Sequence, residues 1–255
     1  MFKEQRFSNF IFNLRGSLVV AEKDARIYYL KPPVIIFGIL FPVFFFLAFS
    51  LGRQVQTHIL VPALVSMTLF FTSSSVGPLV TPWERGARTY ERLLSTPVSL
   101  FAILLGDVLA GLVFGIVISF APLLIGIIFF HTSILHSAIF LVGMVLSSLC
   151  FSSLGVLLSS PATEAPSQVM MLSALIRFPL IFISGIFIPL ENLPSWGKAV
   201  SSVSPLTYSA DLIRYSLYGL EFYPVFLNII ALLAFSIAFF TFAVKLHRKN
   251  LIKAL

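Results

Sequence analysis

Six runs of almost uninterrupted apolar residues, at roughly 33–52, 59–80, 104–130, 137–158, 169–189 and 224–244, dominate the chain. Each approaches or exceeds the ~20 residues that an α-helix needs to cross a hydrocarbon layer of ~30 Å. Their hydrophobicity is continuous rather than alternating, so they read as helices and not as barrel strands. The remaining composition agrees: 58% of the 255 residues are hydrophobic and only 11% are charged, against about 25% charged in a soluble domain. The expectation is an all-α membrane protein with six transmembrane helices, folded as a single domain over residues 1–255.

An even number of spans returns both termini to one side of the bilayer, and the Lys and Arg count selects that side. Thirteen of these residues fall in the N-terminal segment, the 82–99 loop and the C-terminal tail, whereas three (Arg53, Lys198 and Arg214) fall on the opposite face. Both termini are therefore expected in the cytoplasm, with the protein in the cell (cytoplasmic) membrane as a multi-pass chain. The net charge of +7 is accounted for by residues that face anionic headgroups, so no nucleic-acid partner is implied. Some thirty polar-rich residues precede the first apolar run, and no A-x-A-like site follows it, so a cleaved signal peptide is not expected.

Metal and disulfide chemistry find little support. Cys150 is the single cysteine and lies inside the fourth run. His131 and His136 stand five apart, which is not the i, i+4 spacing that places two ligands on one helical face. No metal and no cofactor bound by this chain is expected. Gly106 to Gly111 is the nearest approach to a phosphate loop, but it lacks the Lys-Ser/Thr of that motif and lies in a span.

Between the spans, three segments carry pattern. Within residues 1–31, Phe7, Phe10, Ile11, Leu14 and Leu18 recur at three- and four-residue spacings among Arg6, Asn13, Lys23 and Arg26, which predicts a helix in the cytoplasmic interface with Tyr28, Tyr29 and Lys31 as anchors. Residues 189–223 hold two short apolar faces, Trp196, Ala199, Val200 and Val203, then Leu206, Ala210, Ile213 and Leu217, punctuated by Pro194 and Pro205. These predict short outer helices re-entering the interface before the last span. Residues 84–95 concentrate charge: with ~100° per residue, Glu84, Arg85, Arg88, Glu91, Arg92 and Ser95 share one arc, opposite Ala87, Tyr90, Leu93 and Leu94. They predict one amphipathic helix along the cytoplasmic surface, with Pro82 ahead of it and Pro97 closing it.

Polar residues inside the spans are few. Arg177 sits about nine residues into the fifth run, at a depth where an arginine costs at least ~2.5 kcal/mol, so it must face protein, water or a partner. Asp107 and Glu164 are its candidate partners, and a lining of a polar cavity is the functional alternative to an internal ion pair. Small residues spaced by four, Gly111 and Gly115, Gly143 and Ser147, Ser148 and Ser152, Gly155 and Ser159, are read as packing surfaces.

The stretch "ERGARTYERLLSTPVSLFAILLGDVLAG", followed two spans later by "FPLIFISGIFIPLENLPSWGKAVSSVSPLTYSADLIR", resembles the type-2 permeases of ATP-binding cassette (ABC) exporters across essentially the whole chain. The family pattern has glycine where Arg88 stands, and no intramembrane arginine matching Arg177. What the resemblance implies is a non-enzymatic transport subunit that pairs with a second permease copy, a homodimer or close heterodimer, and binds separate ATPase subunits that carry ATP and Mg. It also implies that residues 84–95 form the coupling helix, with Glu84, Arg85, Arg88, Glu91 and Arg92 contacting the ATPase. Glu191, Pro194, Trp196, Pro205, Asp211 and Arg214 would belong to the outer gate region, and Arg177 stays a candidate intramembrane polar site. An ion-coupled secondary transporter is the alternative, which would call for several intramembrane carboxylates.

Overall fold

A computed structural model describes residues 2–28, 36, 40, 43–44 and 56–254. The first expected span, 33–52, and the anchors Tyr29 and Lys31 lie essentially outside the described residues. Nine α-helices occur among the described residues: α1 (Phe2–Tyr28), α2 (Thr57–Gly86), α3 (Thr89–Leu94), α4 (Leu100–Phe130), α5 (Ser137–Leu158), α6 (Pro166–Ile183), α7 (Ser195–Ser201), α8 (Pro205–Tyr218) and α9 (Val225–Ala254). Among the described residues, five stretches, His58–Gly86, Leu100–Phe130, Ser137–Leu158, Pro166–Ile183 and Val225–Asn250, are long and apolar enough to cross a membrane.

Local chemistry sets most of the boundaries. Ser99 caps α4 by accepting from the Ala102 N–H at 3.2 Å, and Pro166 and Pro205 occupy the first turns of α6 and α8, where a missing N–H leaves no partner wanting. The helix α6 ends at Ile183 rather than near 189, because Ser184 leads into Gly185 at φ 80°, a left-handed conformation that a side chain disfavours. The helix α2 runs past its expected end at 80 and holds Pro62, Pro78 and Pro82 in its interior. Such prolines are tolerated in a membrane bundle where neighbours satisfy the carbonyls they free.

The helix α2 is the hub, packing on α4, α5, α6 and α8. Its most apolar window is 83% buried, against 22% for α6 and 17% for α9, so α6 and α9 stand at the periphery. The centre is drawn together by small residues: a Cβ on Gly77 would come within 2.8 Å of the Gly155 carbonyl, and one on Gly155 within 2.6 Å of the Ser74 carbonyl. The backbones of α2 and α5 therefore touch. Gly111 and Gly115 press α4 onto Ser73, Ser148 and Ser152, as their spacing leads one to expect. Ser148 donates to the Leu112 carbonyl and accepts from Ser73, both at 2.8 Å, joining α2, α5 and α4 through one pair of hydroxyls. The helix α1 lies across α4, where Gly106 meets Ser17 and Val20 and the Asn13 side chain accepts from the Ser99 N–H at 3.0 Å.

Candidate functional site: the charged turn and its anchors

The segment expected as one helix over 84–95 is two. The helix α2 continues through Glu84 and Arg85 to Gly86, the chain turns at Arg88 with φ 56°, and α3 begins at Thr89. Arg88 thus occupies the left-handed conformation for which glycine is the unstrained residue. The break divides the charged residues: Arg88, Glu91 and Arg92 are exposed, while Glu84 and Arg85 are buried.

The buried two tie the turn down. Arg85 donates to the Pro161 carbonyl in the α5–α6 loop, and its guanidinium lies 5.2 Å from the centre of the Tyr90 ring, within cation–π range. Tyr90 is 2% exposed, and burial pushes its phenol up to about 12, so it stays a neutral donor. Its hydroxyl faces Nδ1 of His247 across 3.5 Å, while Nε2 of His247 lies 3.0 Å from the Val156 carbonyl. A carbonyl only accepts, so Nε2 carries the proton and Nδ1 is left to accept. Asn250 then donates to the Ser160 carbonyl at 2.6 Å. The turn is therefore moored to α5, the α5–α6 loop and α9 at once. Sequence reading gave His247 no role; only its position on the apolar α9 hinted at a buried histidine.

Glu84 is held by α1. Lys23 donates to Glu84 and stands 3.1 Å from the carboxylate of Asp24, which is fully buried and faces Asp107 of α4. Burial pushes Asp24 up to about 6, against the pull of Lys23. Burial works against the Lys23 ammonium, yet the carboxylates of Asp24, Glu84 and Asp107 outweigh it and hold its pKa above the usual lysine value. One cation thus serves three acids, binding α1, α2 and α4 at the end of the bundle that bears the turn.

Arg177 does not meet either expected partner. It is 3% exposed, and donates to the Ser74 carbonyl and, at 3.2 Å, to the Ser75 hydroxyl, both on α2. Depth explains the difference: Arg177 lies eleven residues into α6, roughly 16 Å along its axis, and Asp107 seven residues into α4, about 10 Å. Glu164, in the loop before α6, is exposed. What the arginine does satisfy is a carbonyl that a proline freed. Ser74 would ordinarily accept from the N–H four residues on, and that residue is Pro78.

At the opposite end, Glu191, Arg214 and Asp211 come together. Arg214 bridges Glu191 at 3.0 Å and Asp211 at 2.9 Å. Asp211 also accepts from the Phe222 and Tyr223 N–H groups and from Asn228, at 2.8–2.9 Å, which fixes the α8–α9 connection. Glu191 is about half exposed, and although the burial of the rest works to raise its pKa, its own backbone and Arg214 hold its carboxyl below the usual range. Pro194 precedes α7 and Pro205 opens α8, while Trp196 is 73% exposed and takes no part in this cluster. Beside α6, an apolar cavity of about 490 Å³ separates it from α5 and α9, lined by Leu154, Leu172, Ile176, Phe235 and Phe239 among others.

Four apolar spans gathered around a fifth, polar-seamed hub span among the described residues define a multi-pass helical membrane protein. The ABC-2 type transporter family matches residues 18–218, and the chain belongs to that family. It is 25% identical over 216 residues to inner membrane transport permease YadH of Escherichia coli, covering 83% of this chain and 84% of the relative. Nodulation protein J of Rhizobium meliloti is 28% identical over 175 residues, 66% of this chain and 63% of that protein. The probable multidrug ABC transporter permease YbhR of Escherichia coli is 26% identical over 155 residues, 60% and 42% respectively.

Proposed function

We propose that this chain is the membrane-spanning permease subunit of an ATP-driven exporter, working with a second permease copy and with separate cassette ATPase subunits that bind ATP and Mg. The observation that carries this reading is the turn itself: Arg88, Glu91 and Arg92 are exposed on a short element whose neighbours Glu84, Arg85 and Tyr90 are bonded to α1, the α5–α6 loop and α9. A push on such an element is delivered to several spans at once. The charged face is mixed in sign, so attraction to anionic lipid does not account for Glu91.

In this reading the six-span layout is completed by residues 33–52. Both termini and the turn lie in the cytoplasm, α1 lies in the interface, and the cluster of Glu191, Asp211 and Arg214 belongs to the outer gate together with Pro194, Trp196 and Pro205. Glu84 and Arg85 serve as the mooring of the coupling element, and Arg88, Glu91 and Arg92 as the surface that meets the ATPase. The test is co-purification from membranes with the candidate cassette ATPase after charge reversal, Arg88→Glu with Glu91→Arg. Loss of the ATPase from a permease that still folds is the expected result; unchanged binding and unchanged transport refute the assignment.

A further inference from the structure

The prolines of α2 are spaced four apart near its basic end: Pro78 frees the Ser74 carbonyl, and Pro82 frees the Pro78 carbonyl. The helix continues through both, so two carbonyls that have lost their ordinary donors lie four residues, about one turn, apart, about 6 Å along the axis. Arg177 of α6 occupies the first, with its second nitrogen on the Ser75 hydroxyl, and its Nε has no acceptor among the described residues. In the turn of the second carbonyl stands Thr81, whose buried hydroxyl likewise has no partner among the described residues.

The surroundings make α6 a body that can shift. The 490 Å³ cavity separates it from α5 and α9, its main packing among the described residues is on α2, and its far end leads directly through Gly185 to Glu191 and the Arg214 cluster. We propose that Arg177 is a positioning residue for transport, a joint with two stations on α2: the Ser74 carbonyl, occupied here, and the Pro78 carbonyl, one turn nearer the charged turn. Displacement of α2 past α6 moves the guanidinium from one to the other without leaving a charge unpaired in the bilayer. One-turn ratchets of packed elements are a known form of two-state transition. The inference rests on the reading of the charged turn as the ATPase contact.

Three substitutions separate this joint from a purely structural splint. Pro82→Ala gives the Pro78 carbonyl its own backbone donor and removes the second station. Pro78→Ala does the same for the Ser74 carbonyl and removes the first. Arg177→Ala removes the guanidinium from both. The assay uses the permease with its ATPase in proteoliposomes, an environment-sensitive fluorophore on Ile188→Cys in the connection that follows the far end of α6, and trapping with ATP and vanadate. Ile188 is 52% exposed, whereas the native Cys150 is buried.

Pro82→Ala is expected to keep melting temperature and ATPase co-purification and to reduce the trapped-state signal about tenfold, the weight of one charged hydrogen bond. Arg177→Ala is expected to melt lower, and Pro78→Ala in the same chain to restore the melting but not the signal. A Pro82→Ala permease that responds like the wild type overturns the second station. Recovery of the signal along with the melting in the double variant overturns the joint and leaves Arg177 a splint. If the ATPase fails to co-purify even with the wild type, the coupling reading falls first and the joint with it, which distinguishes that failure from the other two.

Discussion

Replacing Asp24 by Asn tests whether the buried acid cluster is held together by its ion pair or strained by its charge. Burial raises the Asp24 carboxyl from 3.8 to about 6, so between those values the folded protein binds a proton that the unfolded chain has released. Stability therefore falls as pH rises through this window, and above about pH 6 the ionised carboxylate weakens the fold by ~3 kcal/mol, taking ~1.4 kcal/mol per unit. Asn keeps the size and loses the charge, while Lys23 keeps its bond to Glu84. Asp24→Asn is thus expected to melt roughly 6–12 °C above the wild type near pH 8, at about 2–4 °C per kcal/mol for a chain of this size. The two should converge near pH 4, where Asp24 is protonated in the folded state. Thermal unfolding of purified protein across that pH range is the measurement. A variant that melts lower near pH 8 would show that the Lys23–Asp24 pair is worth more than the burial of Asp24 costs. A gain of equal size at pH 4 would show that charge is not the cause.

Two further outcomes follow from the same structure. Arg88→Gly should melt at or above the wild type, because relief of a left-handed residue, ~1–2 kcal/mol, exceeds the ~0.5–1 kcal/mol of added chain entropy; Arg88→Val should melt lower in the same assay. Asp211→Asn leaves fewer acceptors for the donors of Phe222, Tyr223, Asn228 and Arg214. It should lower stability by ~1–3 kcal/mol and speed proteolysis between residues 219 and 224, and a variant as resistant as the wild type contradicts the latch assigned to Asp211.

Where a boundary depends on neighbours in sequence, it was legible. The helix α5 coincides with its apolar run at 137–158 because Ser159, Ser160 and Pro161 follow it, and α7 follows Pro194 while α8 opens on Pro205, as that punctuation implies. The extension of α2 past Pro82 was not legible, since a proline stops a helix in water but is carried by neighbours in a membrane bundle. The charged turn was found, but not its break at Arg88: a helical wheel assumes the regular geometry that a left-handed residue abolishes. Pairings between helices were the least accessible. Arg177 has two acids in the sequence to choose from and takes a carbonyl and a hydroxyl instead, because depth along each helix, not opposite charge, decides who meets whom. The glycine spacing, by contrast, forecast close approach and found it at Gly111, Gly115 and Gly155.

The contact of Gly77 with Gly155 also governs which substitutions this chain can accumulate. With backbone against backbone, a side chain at either position has no rotamer to turn and no neighbour to compress, so one added methyl must push α2 and α5 away from each other and open the hub. A matching change on the other side does not help, since neither residue has anything left to remove. These two codons are closed to drift singly and in pairs, whereas exposed apolar positions such as Phe226, Ile237 and Phe242 on α9 are free to exchange one apolar side chain for another. Random mutagenesis scored for surviving protein should therefore leave glycine at 77 and 155 while the outer face of α9 diversifies.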